Sequence, residues 1–434
     1  MITSLGGAGS VTGTDLQGIN GSLTGNFALG GNINAIATAS WNAASGFTPL
    51  GSSVSAPYTG TLDGLGHSIS NLTINRPASS YVGLFGVENA LIKNVGLLQD
   101  SIVGLDYVGA LVGKNSGTVS NSYSTGAVSG RHAVGGLVGF NNYGSNATVA
   151  NSHASGTVSA TGIYTGGLVG YSGGSGLIIN SYSTTNVGGT AAWVGGLLGV
   201  NYGTVSNTYA TGNVTGNDRV GGLVGFNQAP NWGASLIQTS YSTGVVSGVT
   251  SPGALVGRNE GTISSSYWNT SVNVGLPGAG ISISGAVGLS TTAFSNSSNF
   301  AGFNFTSTPG ASGWVIVNAD GSLNALGTQG GGTFPMLASE YSVAINNVHQ
   351  LQLMAMNLSA NYTLTQNINA TATAGSANDV WAGSTFIPVG GITAAITAPP
   401  TSSQFSGTFD GLGLLSAISL STCQPKMKLD YLAM

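Results

Sequence analysis

The heptapeptide VGGLVGF occupies residues 134–140, recurs unchanged at residues 220–226, and returns in part as VGGLLG at residues 194–199. The leucine after the glycines marks a register with seven members, which are Leu84, Leu111, Leu137, Leu168, Leu197, Leu223 and Leu255. Their intervals are 27, 26, 31, 29, 26 and 32 residues. A period of about 20 to 50 residues indicates a solenoid, a propeller or another repeat array.

A second phrase keeps the same register in each repeat: GTVSNSYSTG at residues 117–126 returns as GTVSNTYATG at residues 203–212. Its apolar column consists of Val119, Val149, Ile178, Val205, Ile237 and Ile263. Four residues later, its ring column consists of Tyr123, His153, Tyr182, Tyr209, Tyr241 and Tyr267. We predict that both columns form structural ladders, in which His153 simply replaces one stacked aromatic ring.

The apolar segments within each repeat are short and are separated by glycine and asparagine, a pattern that favours strands and turns over helices. One repeat cannot bury its apolar residues alone, but coils stacked at about 4.8 Å would place like residues above one another. The sequence therefore predicts an all-β fold, a parallel and right-handed β-helix solenoid of about ten coils. A propeller blade needs about 40–50 residues, so the period disfavours that alternative. We expect the paired glycines to form corners or close backbone contacts, with glycine and asparagine supplying positive φ.

The composition narrows the class of protein. Charged residues make up 5% of the chain, against about 25% in typical soluble proteins, and 72 of 434 residues are glycine. The hydrophobic content of 41% argues against disorder. The eight basic residues are scattered, which predicts no nucleic-acid partner, and no apolar run is long enough for a transmembrane helix. The single cysteine, Cys423, leaves no partner for a disulfide or a cysteine metal site.

A second array begins near residue 341, because residues 351–372 match residues 16–37 in register and residues 385–413 echo residues 46–66. We predict a first β-helix array at 1–270 with its repeat core at 81–270, a closing or linker segment at 271–340, and the start of a second array at 341–413. The tail 414–434 departs from the repeat pattern. We interpret it as a frameshifted or disordered segment.

The repeated Gly-Leu-x-Gly phrases over residues 81–270 resemble the GLUG motif. This motif occurs in large bacterial surface and secreted proteins, including filamentous-haemagglutinin-like adhesins and some IgA-specific metallopeptidases. The resemblance implies an extracellular or cell-surface location and a larger parent chain, with the signal and export segments outside this sequence. The zinc motif H-E-x-x-H is absent from the chain, so the resemblance does not extend to a metallopeptidase centre.

Few residues qualify for catalysis. Asp106 and Asp218 hold equivalent positions four coils apart, about 19 Å at the strand spacing, whereas a glycosidase pair needs about 5–9.5 Å. Asp106 and His132 fall in adjacent coils, where we expect an exposed loop pair. The nearby residues Glu88, Asp100 and Lys93 are expected to be solvated turn residues.

The remaining candidates for a metal or an active site stand alone in the sequence. Asp63 and Asp410 occupy equivalent Asp-Gly-Leu-Gly turns, for which one carboxylate per turn favours a structural role over Ca²⁺ binding. His349 has no partner that the sequence identifies. We therefore predict no catalytic residue, no cofactor and no metal site.

These observations favour a structural and adhesive module that displays loops for host or cell-surface contact. The insertions NNYGSNA at 141–147 and NQAPNWGA at 227–234 are the candidate contact loops, with Trp232 as a possible anchor. Glycans or host and cell-surface proteins are the expected partners. The alternative is a carbohydrate-active β-helix enzyme, a polysaccharide lyase or hydrolase, whose active groove would hold Asp with Lys or Arg from adjacent coils.

Overall fold

A computed structural model describes residues 1–434 except 143–146, 229–234, 283–284, 325–330, 376–378, 391–403, 415 and 418–434. The chain divides into two compact units, Met1–Gly288 and Leu289–Met434, which we call unit 1 and unit 2. Trp232 and most of both candidate contact loops lie outside the described residues, as does most of the tail after residue 414.

Unit 1 is a right-handed solenoid of parallel strands arranged in three sheets. The first column of sheet 1 contains Asn26–Ala28, Thr61–Asp63, Leu91–Lys93, Thr118–Ser120, Thr148–Ala150, Leu177–Ser183, Thr204–Ala210, Leu236–Gln238 and Thr262–Ser264. Beside it lie Ile33–Asn34, Ser68–Ser70, Gly96–Leu98, Tyr123–Ser124, His153–Ala154, Tyr241–Ser242, Ser266–Asn269 and Ala286–Leu289. The two longest strands of this sheet run through both columns.

Two further sheets complete each turn. Sheet 2 contains Thr73–Asn75, Ser101–Val103, Asp106–Gly109, Ala127–Gly130, His132–Gly135, Thr157–Ala160, Thr165–Gly166, Asn186–Gly189, Ala192–Gly195, Val214–Gly221 and Val246–Thr250. Sheet 3 contains Phe85–Glu88, Val112–Asn115, Val138–Asn141, Val169–Ser172, Leu198–Asn201, Val224–Asn227, Val256–Asn259 and Ala279–Ile281.

The predicted all-β parallel solenoid is confirmed, but it has about seven turns rather than ten. The coil at the start of the chain departs from the regular pattern. Sheet 1 does begin there, with Asn26–Ala28, but the rest of the first coil contains the 3₁₀ helices Gln17–Gly21 and Ile36–Ser40. This coil therefore closes the end of the apolar core instead of repeating the three-sheet pattern.

The main core of unit 1 is an apolar column inside the coils, and a second buried cluster consists of Val187, Val194, Val214, Val220 and Val246. All seven register leucines are fully buried, and each buried side chain of this size contributes about 1.5–3 kcal/mol relative to exposure. Because successive coils place equivalent apolar residues at the same position, the cross-section of the core stays similar along the solenoid.

The paired glycines serve close backbone contact. A Cβ atom on Gly195 would lie 2.1 Å from the Leu198 carbonyl oxygen and 2.7 Å from the Gly225 nitrogen. The positive φ angles occur mainly on other residues, including Asn121, Asn151, Asn180 and Asn207, at 47–50°. Within the described part of the repeat core, Gly156 is the one glycine with a positive φ, at 102°, so asparagine supplies this conformation more often than glycine does.

The Gly195→Ala variant should be destabilised by roughly 2–3 kcal/mol, since the atoms around the added methyl group belong to rigid backbone in two coils. Gly188→Ala is the matched control, because a Cβ atom at that strand position meets nothing within 4 Å. Thermal and denaturant unfolding of both variants measures the difference. Equal stability of the two variants would contradict the close-contact explanation.

Unit 2 has a smaller set of elements. Trp314–Val315 and Met336–Leu337 pair antiparallel, Tyr362–Leu364 lies between parallel strands Ala344–Ile345 and Phe409–Asp410, and Ile368–Asn369 pairs with Ser416–Ala417. The α-helix Val348–Leu353 leads into the 3₁₀ helix Met354–Met356. Further 3₁₀ helices are Ala293–Ser295, Ser297–Asn299, Ala338–Glu340 and Thr371–Thr373.

Candidate contact surface and buried ladders

The apolar column named in the sequence analysis lies inside sheet 1. Val119 is in register with Val149, and the pairing continues through Ile178, Val205, Ile237 and Ile263. These side chains are between 0% and 9% exposed. Each one therefore packs against its equivalents in the coils above and below.

The ring column forms a stack. His153 lies between Tyr123 and Tyr182, with centroid distances of 5.0 and 4.6 Å and interplanar angles of 2° and 4°. The stack continues from Tyr182 to Tyr209 at 4.8 Å and from Tyr209 to Tyr241 at 5.1 Å. The spacing of the rings follows the inter-strand spacing of the sheet, so His153 occupies a stacking position within the ladder.

A third ladder was missed by the sequence analysis. It lies four residues after the register leucines, and we call it the asparagine ladder: Asn115, Asn141, Ser172, Asn201, Asn227 and Asn259. Asn115 Nδ2 donates to Asn141 Oδ1 at 2.7 Å, and Asn227 Nδ2 donates to Asn259 Oδ1 at 2.8 Å. The side chains are at most 6% exposed, and their hydrogen bonds satisfy polar groups that burial would otherwise penalise.

Glu88 occupies the next rung of this ladder on the N-terminal side, opposite Asn115. It is fully buried, and its Oε2 accepts a hydrogen bond from the Ala90 amide at 2.6 Å, whereas Oε1 has no partner among the described residues. Burial raises the pKa of Glu88 to about 8, despite backbone hydrogen bonds that lower it. The expectation of a solvated turn residue is therefore wrong here.

Asp100 is also buried rather than solvated. It is 3% exposed, and burial raises its pKa to about 7. Lys93 is the one residue of this predicted group that reaches the surface, where its Nζ lies 3.1 Å from Asp63 Oδ2. Glu88 and Asp100 were expected to be solvated because they are charged. The position of a residue in the coil, however, sets how deeply its side chain is buried.

The Asp106 and His132 positions are adjacent in register, as predicted from the repeat. The Asp106 carboxylate instead accepts two hydrogen bonds from Arg131, of 2.9 and 2.6 Å. The Arg131 hydrogen bond lowers the pKa of Asp106 more than its burial raises it. A carboxylate held ionised in this way is poorly suited to donate a proton.

The Asp63 turn is held by protein groups. Asp63 Oδ1 accepts hydrogen bonds from the Leu65 amide and Asn94 Nδ2, both at 2.9 Å, while Lys93 pairs with Oδ2. Burial alone would raise the pKa of Asp63, but these contacts lower it. Among the described residues, no group of three or more His, Cys, Asp or Glu side chains is arranged to hold a metal ion.

The outer surface carries a band of aromatic side chains that the sequence analysis also missed. We call it the aromatic strip, and it consists of Tyr81, Tyr107, Phe140, Tyr164, Tyr171, Trp193, Tyr202 and Phe226. Tyr81 stacks on Tyr107 at 5.0 Å and Tyr164 stacks on Trp193 at 4.9 Å. Most of these side chains are half-buried, whereas Tyr171 and Phe226 are 8% and 7% exposed.

Basic side chains continue the strip. The guanidinium of Arg219 lies 5.6 Å from the Trp193 ring and that of Arg258 lies 5.2 Å from the Phe226 ring, while Lys114 Nζ lies 6.0 Å from Phe140. Both arginines also pair with acids, Arg219 with Asp218 and Arg258 with Glu260. Cations over aromatic faces are favourable contacts, and they concentrate charge on this side of a chain that has little charge elsewhere.

The ring positions follow from the coil geometry. Tyr107, Tyr164 and Trp193 have φ angles of 57°, 70° and 64°, at the corner two residues before the first glycine of each repeat phrase. Arg219 and Ser251 take the same corner in later coils, with φ angles of 51° and 52°. Because the residue type varies from coil to coil, the strip is visible only after the coils are stacked.

Unit 2 contains a buried charged cluster that we call the His349 cluster. His349 Nδ1 lies 2.7 Å from Glu340 Oε2 and His349 Nε2 lies 2.8 Å from Asp379 Oδ1. All three side chains are at most 8% exposed. Burial alone would lower the pKa of His349, but Asp379 and Glu340 together raise it to about 10. The sequence analysis identified neither Glu340 nor Asp379 as a partner of His349.

In the described part of the chain, no helix has the length and apolar character needed to cross a membrane. Residues 130–159 match the model of the GLUG motif. Over 187 residues the chain is 35% identical to Halomucin of Haloquadratum walsbyi, a match that covers 36% of this chain and 2% of Halomucin. Over 81 residues it is 38% identical to a protein named "Putative Gly-rich membrane protein" from Evansella cellulosilytica, covering 18% of this chain and 9% of that protein.

The chain thus spans a small fraction of these relatives. Among solved structures, it resembles the crystal structure of a "putative immunoglobulin A1 protease" from Bacteroides ovatus with a TM-score of 0.43 and 22% sequence identity. That match covers 64% of this chain and 82% of the other.

Proposed function

We propose that the chain is a structural and adhesive β-solenoid module of a secreted or surface-exposed bacterial protein, of the filamentous-haemagglutinin-like kind. The GLUG motif at residues 130–159 and the similarity to Halomucin and to a Gly-rich membrane protein support this location. The same findings favour a structural over a catalytic role. The uniform stack of coils suits a rod that holds contact residues at fixed spacing.

The aromatic strip is the observation that carries the adhesive part of the proposal. Protein contact surfaces are enriched in Tyr, Trp, Phe and Arg and depleted in Ser, and hot spots favour Trp, Tyr and Arg. The strip has this composition, whereas the exposed residues on the rest of the solenoid are mainly Ser, Thr, Asn and Gly. We infer that the strip contacts glycans or cell-surface proteins, together with the loops 141–147 and 227–234 and with Trp232.

We also propose that unit 2 contains the start of a second array at residues 341–413, after a closing segment at 271–340. Both arrays then belong to one repetitive exoprotein.

The double variant Tyr164→Ser and Trp193→Ser should lose binding to immobilised glycans or to cell surfaces by about 30-fold or more, the loss expected for hot-spot residues. Serine is compatible with this corner, since Ser251 holds the same position in a later coil. Trp268→Ser is the matched control, because Trp268 is a half-buried aromatic residue of sheet 1 outside the strip.

A glycan array and a cell-binding assay measure this difference, with unfolding curves to show that each variant keeps its fold. Equal binding of the native chain and the double variant would refute the role of the strip. Failure of the native chain to bind any glycan or cell surface would refute the adhesive proposal itself.

A further inference from the structure

Unit 2 repeats several interactions of the opening coil of unit 1. Gln17 exchanges two hydrogen bonds with the backbone of Thr48, and Gln352 exchanges the same two with Ile387. The stacked pair Trp41 and Phe47, at 6.4 Å, has its equivalent in Trp381 and Phe386 at 6.5 Å. Because the glutamine bonds and the aromatic pair recur at equivalent positions, we treat the two coils as the same type of structural element.

The strand register is the same as well. Phe27 and Ala28 pair with Leu62 and Asp63, and Tyr362 and Thr363 pair with Phe409 and Asp410 at the equivalent positions. Glycine comes shortly before both second strands, and a Cβ atom on Gly60 or Gly407 would lie 1.8 Å from the carbonyl oxygen of Gly25 or Ala360, just ahead of the first strand. The two coils therefore present the same outward edge for the next coil.

In unit 1 that outward edge is occupied. The strand Leu91–Lys93 pairs with Thr61–Asp63 in parallel, which places Ile92 opposite Leu62 and Lys93 opposite Asp63. The Gly64 amide donates to the Lys93 carbonyl at 2.8 Å. Among the described residues of unit 2, Phe409–Asp410 pairs on one side alone, with Tyr362–Leu364.

The turn after this strand is already formed in unit 2. The Leu412 amide donates to Asp410 Oδ1 at 2.9 Å, as the Leu65 amide does to Asp63 Oδ1. The Leu414 amide donates to the Gly411 carbonyl, as the His67 amide does to the Gly64 carbonyl. In unit 1 this turn holds the carboxylate that Lys93 and Asn94 contact from the next coil.

We propose that Phe409, Asp410 and Gly411 form a docking edge for one more parallel coil, whose strand places a branched apolar residue opposite Phe409 and a Lys-Asn pair against Asp410. The occupant is a repeat coil of the type seen at residues 88–98. Unpaired strand edges readily accept another strand, and the preformed Asp410 turn selects a strand that brings a cation in register. The inference rests on the proposed second array and is independent of adhesion.

The test uses the full chain with residues 414–434 replaced by a copy of residues 67–130, the segment that follows the same turn in unit 1. This replacement also removes Cys423, so two introduced cysteines have no competitor. Adjacent parallel strands lie about 4.8 Å apart, within the range of about 4.4–6.8 Å that a disulfide spans between Cα atoms. Asp410→Cys combined with Lys→Cys at the grafted copy of Lys93 should therefore form a disulfide under mild oxidation.

Two comparisons make the result decisive. The pair Asp63→Cys and Lys93→Cys, in the native chain with Cys423→Ser, sets the extent of oxidation for this register. Asp410→Cys with a cysteine at the grafted copy of Ile92 should stay reduced, since neighbouring residues of a strand face opposite sides. Oxidation of the in-register pair to the extent seen in unit 1 supports docking; no disulfide, or equal oxidation of both pairs, overturns it.

Hydrogen exchange gives a second measurement without cysteines. Amides of residues 409–413 should become protected when the graft is present, lose this protection in the Asp410→Lys variant, and regain it when the grafted copy of Lys93 is changed to Asp. Protection that is absent with the graft, or that survives Asp410→Lys, contradicts the proposed recognition. None of these readouts depends on a ligand, so a failed adhesion assay leaves the test unaffected.

Discussion

Replacement of His349 by Gln should destabilise unit 2 by about 3–5 kcal/mol at pH 6, the cost of removing one partner from a buried ion pair. His349 lies between Glu340 and Asp379 with both ring nitrogens engaged. Since a neutral imidazole has a single N–H donor, only the imidazolium can donate to both carboxylates. The variant leaves two carboxylates buried without their cation.

The same cluster makes unit 2 sensitive to alkaline pH. The folded-state pKa of His349, about 10, lies above the ordinary value of 6.5. Its contribution is therefore complete below pH 6.5 and is lost as the pH rises to about 10. Hydrogen exchange of residues 338–382 measures the local stability, with His67→Gln as a control on a half-buried histidine of unit 1. A pH-independent exchange rate between pH 6.5 and 10, after correction for intrinsic exchange, would contradict the charged cluster.

Replacement of Glu88 by Gln should stabilise unit 1 by roughly 3 kcal/mol at pH 7. The folded-state pKa of Glu88, about 8, lies above the ordinary value of 4.5, so ionisation costs stability as the pH rises from 4.5 to 8. Glutamine carries no charge, keeps an acceptor for the Ala90 amide, and adds a donor. In the asparagine ladder, the side-chain amides of Asn115, Asn201 and Asn227 each donate a hydrogen bond to the asparagine of the next coil.

Denaturant unfolding at pH 5 and pH 8 tests this expectation. Native unit 1 should lose stability between pH 5 and pH 8, and the Glu88→Gln variant should lose less. Adding Asp100→Asn should remove most of the remaining dependence of stability on pH, because Asp100 also has a raised pKa. Glu260→Gln is the control, since this exposed partner of Arg258 contributes at most about 1 kcal/mol. A destabilised Glu88→Gln variant at pH 8 would show that the carboxylate is needed in its ionised form.

The apolar and ring ladders can be predicted from the sequence because each repeats similar residue types at a fixed offset from the register leucine. The apolar and ring columns of sheet 1 are visible for this reason. The asparagine ladder follows the same rule, four residues after the register leucine, and the rung occupied by Glu88 could have been identified from the same spacing. Glu88 was expected to be solvated because it is charged, although its position four residues after the register leucine places it in a buried column.

Other features depend on contacts that the repeat does not encode. The aromatic strip combines Tyr and Trp from one corner of the coil with Tyr and Phe from the strands of sheet 3, so no single column of the sequence displays it. The His349 cluster joins residues 9 and 30 positions from the histidine, in a unit without a long repeat. The first coil is shorter in strands than predicted because it must cover the end of the core as well as start the stack.

The stacking of coils is tested most directly by the distance between Ser101 and Val245, which are exposed and hold the same column of sheet 2. Ser101 pairs with Ala127, and the column continues through Thr157 and Asn186 to the coil of Val245, five strand-to-strand steps in all. Spin labels on cysteines at both sites, with Cys423→Ser, should give one narrow distance distribution centred near 24 Å at the strand spacing. A broad distribution, or a distance far above this value, would contradict the solenoid.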